Sequence, residues 1–224
     1  MILLKNISKS FDGPKGKVSA LQDVGFELPA GEMLAISGPS GCGKTTLLLT
    51  AAGMLRPDSG TVELGGKENV YGLHADQRLR LRSALIGFVF QQFHLIPYLT
   101  VMENVMAPSL AMSRQDAGPR AMELLNQFGL QERGDHISSQ LSTGERQRTA
   151  LARALFNEPK IILADEPTGN LDDENADVVL KHLRQYVSGG GSVLLVTHNS
   201  RAADYATRTL KMKDGRIVNG QTLI

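Results

Sequence analysis

The stretch MLAISGPSGCGKTTLL, Met33 to Leu48, carries the pattern that decides the fold of this chain. An apolar run from Met33 to Ser37 leads into GPSGCGKT, which matches G-x-x-x-x-G-K-[ST], and a helical pattern follows directly. In such a strand, loop and helix, the backbone N–H groups of the loop and the positive end of the helix bind phosphate. The stretch therefore predicts an α/β protein with a phosphate-binding loop.

Each residue type in this loop has a chemical reason. Gly38, Gly41 and Gly43 allow the backbone to wrap closely around phosphate oxygens. Lys44 is predicted to bring its charge to the β- and γ-phosphates of a nucleotide, and the Thr45 hydroxyl to ligate magnesium. The predicted phosphate-binding loop is completed by Pro39, Ser40, Cys42 and Thr46. We interpret the Cys42 side chain as inert; the alternative is a reactive thiol, because a helix N-terminus lowers a thiol pKa.

The composition narrows the class of protein. Of the 224 residues, 42% are hydrophobic and 21% charged, which suits one or two compact globular domains. Lysine and arginine number 24 against 23 acidic residues, so no basic excess indicates nucleic-acid binding. Cys42 is the single cysteine, which excludes an internal disulfide and a zinc cluster built on cysteines.

We expect an intracellular protein that does not cross a bilayer by itself. The N-terminus, MILLKNISKSF, meets Lys5 early and lacks the long apolar core of a secretory signal. Residues 83–102 carry no formal charge, but two glutamines, His94 and Pro97 interrupt their apolar character. Such polar groups are costly in hydrocarbon, which disfavours a membrane span.

Short runs of valine, isoleucine and leucine predict strands, and helical patterns lie between them. The predicted strands are Ile2 to Ile7, Met33 to Ser37, Ile86 to Phe90, Lys160 to Ala164 and Ser192 to Thr197. The predicted helices are Gly43 to Met54, Gly144 to Phe156 and Asp172 to Val187, and a hairpin is predicted to turn at Asp214-Gly215. This alternation favours an α/β core.

One interval, residues 93–157, interrupts the alternation because it is rich in methionine and mostly helical in pattern. We interpret it as a helical subdomain inserted into an α/β core that residues 1–92 and 158–224 form. Its methionines are interpreted as core filler, since methionine packs irregular gaps well. The chain is thus expected to be a single domain, 1–224, with one insertion.

Two adjacent carboxylates follow a predicted strand in KIILADEPTGNLD. Asp165 and Glu166 fall at the carboxyl edge of the sheet, where open α/β sheets bind their ligands. Because neighbouring carboxylates repel each other, a cation is expected beside them. We predict that Asp165 orients magnesium and that Glu166 accepts a proton from an attacking water. The alternative is a solvated turn.

A further anion site is predicted where a helix begins in QLSTGERQR, Gln140 to Arg148. Ser142 and Glu145 fit a capping box, in which each side chain satisfies a free backbone N–H of the first turn. Gly144 costs roughly 1 kcal/mol relative to alanine in a helix, so we expect a group that needs close access to the backbone. The partial positive charge of a helix N-terminus indicates an anion.

Together these motifs resemble the ATP-binding subunit of ABC transporters, over essentially the whole chain. GPSGCGKTT resembles the Walker A loop, IILADE the Walker B strand, LSTGE the signature motif, FVFQQ the Q-loop, GNLD the D-loop and VTHN the H-loop. Their order and spacing are those of the family, and DEPTGNLD is similar to the bacterial branch of macrolide-exporter, lipoprotein-release and cell-division ATPases. The resemblance implies a P-loop NTPase (RecA-like) core with an N-terminal β subdomain and an inserted α-helical subdomain.

The family pattern implies roles for residues outside the loop. Phe11 would stack on adenine, with an ordinary half-buried strand aromatic as the alternative. Gln91 would sense magnesium and water, with Gln92 as the alternative, and His198 would contact the γ-phosphate and hold the attacking water. The implied catalytic residues are Glu166, His198, Gln91 and Lys44, and the implied metal ligands are Thr45, Gln91 and Asp165.

The family also implies an assembly. Two ATP-binding subunits pair head to tail, so that the signature helix of one faces the γ-phosphate bound by the other. The residues implied in this contact are Ser142, Thr143, Gly144, Glu145 and Asp172. Thr143 stands where the family usually has glycine, and Glu145 where glutamine is more frequent.

The expected function is therefore ATP hydrolysis, with ATP and Mg²⁺ as cofactors, in a homodimer that drives a separate transmembrane permease. The subunit would be cytoplasmic, on the inner face of the membrane, with Gln91 to Leu99 as the surface that meets the permease. We expect an exporter, an extractor or a force-transmitting complex for a lipophilic substrate. The alternatives are an ABC-type ATPase in regulation or nucleic-acid processing, and a P-loop kinase or GTPase. No nucleic-acid partner is expected.

Overall fold

The structure, a computed structural model, describes residues 1–14, 16–111 and 116–219. Residues 112–115 of the interval predicted to be helical, and residues 15 and 220–224 of the predicted core, lie outside the described residues. The strands are β1 (Ile2–Gly13), β2 (Gly16–Leu28), β3 (Met33–Ser37), β4 (Ser59–Leu64), β5 (Ile86–Val89), β6 (Ile161–Asp165), β7 (Ser192–Thr197), β8 (Arg208–Lys213) and β9 (Arg216–Asn219). The helices are α1 (Lys44–Ala51), α2 (Ala75–Leu85), α3 (Val101–Met106), α4 (Ala117–Gln127), α5 (Thr143–Leu155), α6 (Asp173–Ser188) and α7 (Ser200–Asp204). None of these described helices combines the length and the hydropathy that crossing a bilayer requires.

The strands form two sheets. The larger sheet has the order β5-β6-β7-β3-β8-β9, with parallel pairing except between β8 and β9. The smaller sheet, in the order β2-β1-β4, is antiparallel. Since helices connect the parallel strands, the predicted α/β fold is confirmed.

The central strands of the larger sheet are buried on both faces, which explains their continuous apolar sequences. Alternate residues of β3 belong to two hydrophobic clusters, Leu34 and Ile36 to one, Met33 and Ala35 to the other. The first cluster joins the sheet to α1 and to the smaller sheet, and the second joins it to α3, α4, α5 and α6. The carboxyl ends of all the parallel strands therefore lie at one edge of this sheet, which is packed against other elements on both faces.

The elements differ from the predicted ones mainly in their ends. The first predicted helix extends to Met54, but α1 ends at Ala51 because Gly53, at φ 68°, takes the left-handed conformation that stops a helix. The strand predicted from Ile2 to Ile7 continues to Gly13 and pairs with β2. Strands β2 and β4 and helices α2 and α7 had no counterpart among the predicted elements.

The described part of the interval 93–157 contains three α-helices, α3, α4 and α5. Their buried residues do not form a separate core, because Leu124, Leu151 and Phe156 share one cluster with Ile162 and Leu195 of the sheet. The boundaries proposed for an inserted subdomain, 92/93 and 157/158, stay a prediction.

Candidate active site

The predicted phosphate loop connects β3 to α1 at the carboxyl edge of the larger sheet. Close packing explains two of its glycines, Gly38 and Gly43. A Cβ on Gly38 would lie 2.9 Å from Cys42 Sγ and closer still to the Met212 carbonyl oxygen. Gly43, at φ 105°, would meet Met212 Cε at 2.9 Å. Side chains at these positions would force the loop off the β-structure beneath it.

Lys44, the first residue of α1, turns back into its own loop. Its Nζ donates to the carbonyl oxygens of Gly38, at 2.8 Å, and Pro39, at 3.1 Å, and lies 3.7 Å from Glu166 Oε1. The side chain is 7% exposed. The ammonium group is therefore held at a fixed place between the loop and the end of β6.

The two carboxylates at the end of β6 have different surroundings. Thr45 Oγ1 donates to Asp165 Oδ1 at 3.3 Å. Burial raises the pKa of Asp165, and the Glu166 charge adds to this, while the Thr45 hydrogen bond opposes it. A hydroxyl and a carboxylate oxygen side by side are hard oxygen ligands of the kind that Mg²⁺ prefers, so these residues fit the ion.

Glu166 is buried and held from several sides. Its φ of 47° is unusual for a residue with a side chain. Its N–H donates to the Val196 carbonyl oxygen at 2.9 Å. Its carboxylate accepts the backbone N–H of His198 at 3.1 Å and lies 2.8 Å from His198 Nδ1. The Glu166–His198 pair therefore bridges the ends of β6 and β7.

A cavity of about 390 Å³ collects most of the predicted site residues. Its lining comprises Phe11, Val18, Ser19, Ala20, Ser40, Gly41, Gly43, Lys44, Thr45, Thr46, Gln91, Asp165 and Glu166. Phe11 is 42% exposed there, opposite Val18 on the neighbouring strand. The sequence-based set missed Val18, Ser19 and Ala20; the turn signal in FDGPKG, which predicts that β2 folds back on β1, would have found them.

Gln91, not Gln92, lines this cavity. The Gln91 carbonyl oxygen accepts from Asn170 Nδ2 at 3.0 Å. Its side-chain Nε2 would lie 3.2 Å from a Cβ placed on Gly169. The segment after β5 is thereby tied to the segment after β6.

Three residues of the predicted loop do not line the main cavity. Gly38 and Pro39 line a neighbouring cavity of about 540 Å³, as does His198. Cys42 is buried, and this burial raises the pKa of its thiol. A buried thiol with a raised pKa is poorly nucleophilic, which supports the inert interpretation of Cys42.

The predicted signature residues lie elsewhere, at the start of α5. Ser142 Oγ accepts the backbone N–H of Glu145 at 3.2 Å, and Glu145 Oε2 accepts that of Ser142 at 2.7 Å, which completes the capping box. Arg133 Nε donates to Glu145 Oε1 at 2.7 Å. The Arg133 hydrogen bond, followed by that from Ser142, lowers the pKa of Glu145 to about 2. Ser142 and Thr143 are exposed.

Gly144 is buried, and its neighbour is Asn175 of α6. A Cβ on Gly144 would lie 2.7 Å from Asn175 Cγ and closer still to Asn175 Oδ1. Asp172 caps α6, its Oδ1 accepting the Asn175 backbone N–H at 2.8 Å. Neither Asp172 nor residues 142–145 line the cavity that holds the phosphate loop.

A family model described as ABC transporter matches residues 21–169, a span that includes the phosphate loop, the signature segment and both carboxylates. The chain belongs to the ABC transporter family. It is an ATPase of that family and binds ATP. The alternatives of a P-loop kinase and a GTPase are therefore excluded.

Relatives of this ABC transporter subunit point to the same branch that the motifs indicated. It is 41% identical to the lipoprotein-releasing system ATP-binding protein LolD 1 of Rhodopirellula baltica, over 97% of this chain and 96% of that protein. It is 40% identical to the macrolide export ATP-binding/permease protein MacB of Salmonella typhimurium, of which it covers 34%. The dimeric, ADP- and Pi-bound structure of the ATP-binding cassette MJ0796 is 37% identical, with a TM-score of 0.91, over 100% of this chain and 99% of that one.

Proposed function

We propose that two copies of this chain pair head to tail around two ATP molecules, and that this closure drives a separate membrane permease. The proposal is supported by the finding that one subunit carries two parts of an ATP site at separate places. The cavity beside the phosphate loop is lined by residues of that loop and by both carboxylates, whereas Ser142, Thr143 and Asp172 are exposed away from this cavity. A second copy supplies the missing half, as in the dimeric structure of the related ATP-binding cassette MJ0796.

Within one subunit, the cradle binds the triphosphate. Backbone N–H groups of residues 40–46 surround the phosphates, and Lys44 moves its ammonium group from its own carbonyl partners to the β- and γ-phosphates. Thr45, Asp165 and Gln91 would hold Mg²⁺, which neutralises phosphate charge when bound. Phe11, exposed at the mouth of the cavity, stacks on the adenine ring.

Glu166 acts as the general base. Its buried carboxylate, beside Lys44 and at the end of β6, accepts a proton from the water that attacks the γ-phosphate. His198 orients Glu166 through its backbone N–H and ring nitrogen, and lies at the same edge to contact the γ-phosphate. Positioning and charge neutralisation supply the rest of the rate, because phosphoryl transfer needs little covalent help from the protein.

The start of α5 completes the site of the other copy. Ser142 uses an oxygen lone pair to cap the helix, so its hydroxyl hydrogen is free to donate to phosphate. The first-turn N–H groups of Thr143 and Gly144 point along the helix axis toward the same anion. Glu145 acts through the capping box, and its charge is offset by Arg133. Asp172 approaches the partner's phosphate loop.

The permease is proposed to contact the segment Gln91 to Leu99. Tyr98 is 79% exposed there, and Phe90 and His94 line a cavity of about 300 Å³ together with Arg153. A cytoplasmic helix of the permease fits such an apolar groove. The subunit would thus sit on the inner face of the membrane. The names of the LolD and MacB relatives favour a lipophilic substrate, moved outward or extracted.

Glu166→Gln tests the catalytic proposal. Glutamine keeps the volume but cannot accept the proton, so we expect turnover to fall by roughly 10²–10⁴-fold. ATP affinity, measured by titration calorimetry, should stay within about twofold of the wild-type value, because the residues of the phosphate loop are unchanged. Steady-state phosphate release measures turnover, and Glu68→Gln, exposed on a loop, is the matched control. Unchanged turnover in Glu166→Gln would remove Glu166 from the role of base.

A further inference from the structure

One side chain joins the two exposed segments that the proposed dimer uses. Asn175, in the first turn of α6, donates from Nδ2 to both carboxylate oxygens of Asp172, at 3.0 and 2.9 Å. Its Oδ1 accepts from Arg148 Nη1 of α5 at 3.3 Å. The amide nitrogen of Asn175 therefore contacts Asp172, and its amide oxygen contacts α5.

The same amide lies against the first turn of α5. A Cβ on Gly144 would lie 2.7 Å from Asn175 Cγ and 3.3 Å from Nδ2, so a larger residue there would require the amide to shift. The hydrogen bonds to Asp172 and Arg148 hold the amide in this place. The contacts of this one side chain therefore link the position of Asp172 to that of the α5 N-terminus.

We propose that Asn175 is a positioning residue, which sets the spacing of Asp172 and the α5 N-terminus for the ATP bound by the partner subunit. The inference rests on the proposed head-to-tail dimer. Asn175 does not touch the nucleotide in this arrangement; it acts through Asp172 and through the first turn of α5. Both segments then approach the partner as one preformed surface.

Capping of α6 alone does not explain the Asn175 side chain. The cap is made by its backbone N–H, which donates to Asp172 Oδ1 at 2.8 Å and which alanine would keep. The amide group adds only the links to Asp172, Arg148 and Gly144. Asn175→Ala therefore removes the positioning contacts and keeps the cap.

Asparagine also suits this place better than its close relatives. Aspartate has the same size but would face the Asp172 carboxylate with a second negative charge. It would keep an acceptor for Arg148, so Asn175→Asp removes the link to Asp172 alone. Glutamine is one methylene longer and would press on Gly144.

The test uses the full chain in the Glu166→Gln background, where ATP is bound but hardly hydrolysed. Asn175→Ala and Asn175→Asp are compared with Asn126→Ala, an exposed asparagine on α4. Sedimentation velocity gives the ATP concentration for half-maximal dimerisation. Fluorescent-nucleotide titration of dilute, monomeric protein gives ATP affinity. If Asn175 acts only by positioning, its variants should raise the ATP concentration needed for dimerisation and leave the ATP affinity of the monomer unchanged.

We expect both Asn175 variants to need at least roughly tenfold more ATP to dimerise, since one charge-assisted hydrogen bond is worth about this factor and each dimer has two. Monomer ATP affinity should match that of Asn126→Ala. Dimerisation equal to that of the parent, or an equal loss of monomer ATP affinity, would overturn the positioning role while the proposed dimer stands. If the Glu166→Gln protein itself stays monomeric with ATP bound, both the proposed dimer and the role of Asn175 are wrong.

Discussion

At the scale of single residues, Gly144 shows how one position serves two needs. Glycine is a poor helix former, and the sequence led us to expect a ligand close to the backbone there. The structure gives a reason inside the chain: the Asn175 amide occupies the space where a Cβ would be. Close approach by the partner's ATP stays a proposal, and the contact with the Asn175 amide already favours the glycine.

Gly144→Ala tests this packing. In the wild type we expect the free energy of unfolding to fall by about 1–3 kcal/mol, because the new methyl group collides with the amide. In the Asn175→Ala background the same substitution should be neutral or stabilise by up to about 1 kcal/mol, since alanine favours helix. Urea unfolding of all four proteins gives this double-mutant cycle. Equal costs of Gly144→Ala in both backgrounds would show that the two residues do not interact.

At the scale of elements, the start of α5 is fastened at several points. The capping box closes the first turn, and Arg133 holds Glu145 from the preceding segment. Further along, Gln147 Nε2 donates to the Pro167 carbonyl oxygen at 2.7 Å, which ties α5 to the loop after Glu166. The helix that the partner's ATP would meet is therefore connected to the segment that carries Glu166, the proposed general base of its own subunit.

Glu145→Gln measures the electrostatic part of this attachment. Glutamine keeps an acceptor for the Ser142 N–H but loses the ion pair, so the free energy of unfolding at pH 7 should fall by about 0.5–1 kcal/mol. Arg133 and Ser142 lower the folded-state pKa of Glu145 from 4.5 to about 2. The stabilisation is therefore complete above pH 4.5 and is lost as the pH falls toward 2.

Urea unfolding of wild type and variant between pH 7 and pH 3 should show their difference shrinking through this window. Taking the difference removes the titration of other carboxylates, and Glu132→Gln, an exposed neighbour, is the control. A difference that does not change with pH would mean that the charge of Glu145 contributes nothing.

At the scale of the whole molecule, local patterns predicted part of the fold. The apolar runs of β3, β6 and β7 and the phosphate loop between β3 and α1 were predicted because their signals are contiguous in sequence. The placement of Glu166 and His198 at one edge follows from the rule that parallel strands end together, whereas their direct contact was not predicted. Strands β2 and β4 were missed, since they depend on pairing with β1 and are buried irregularly along their lengths.

The parts of the candidate site that sequence reasoning missed depend on long-range contacts. The cavity is lined by Val18, Ser19 and Ala20 because β2 pairs with β1 and lies beside the phosphate loop. Asn175 has no local signal for its contact with Gly144, which joins residues far apart in sequence. The FDGPKG turn signal indicates the return of β2, but the contact between Asn175 and Gly144 arises from the packing of whole elements, which no short motif encodes.

The central claim is that each ATP is enclosed by two copies of the chain. Sedimentation velocity of Glu166→Gln, with saturating Mg-ATP, with ADP and without nucleotide, tests it most directly. We expect a dimer with ATP only, and a monomer under every condition when Lys44→Ala is added, because the cradle then loses its charge. A Glu166→Gln subunit that binds ATP and still sediments as a monomer would contradict the claim.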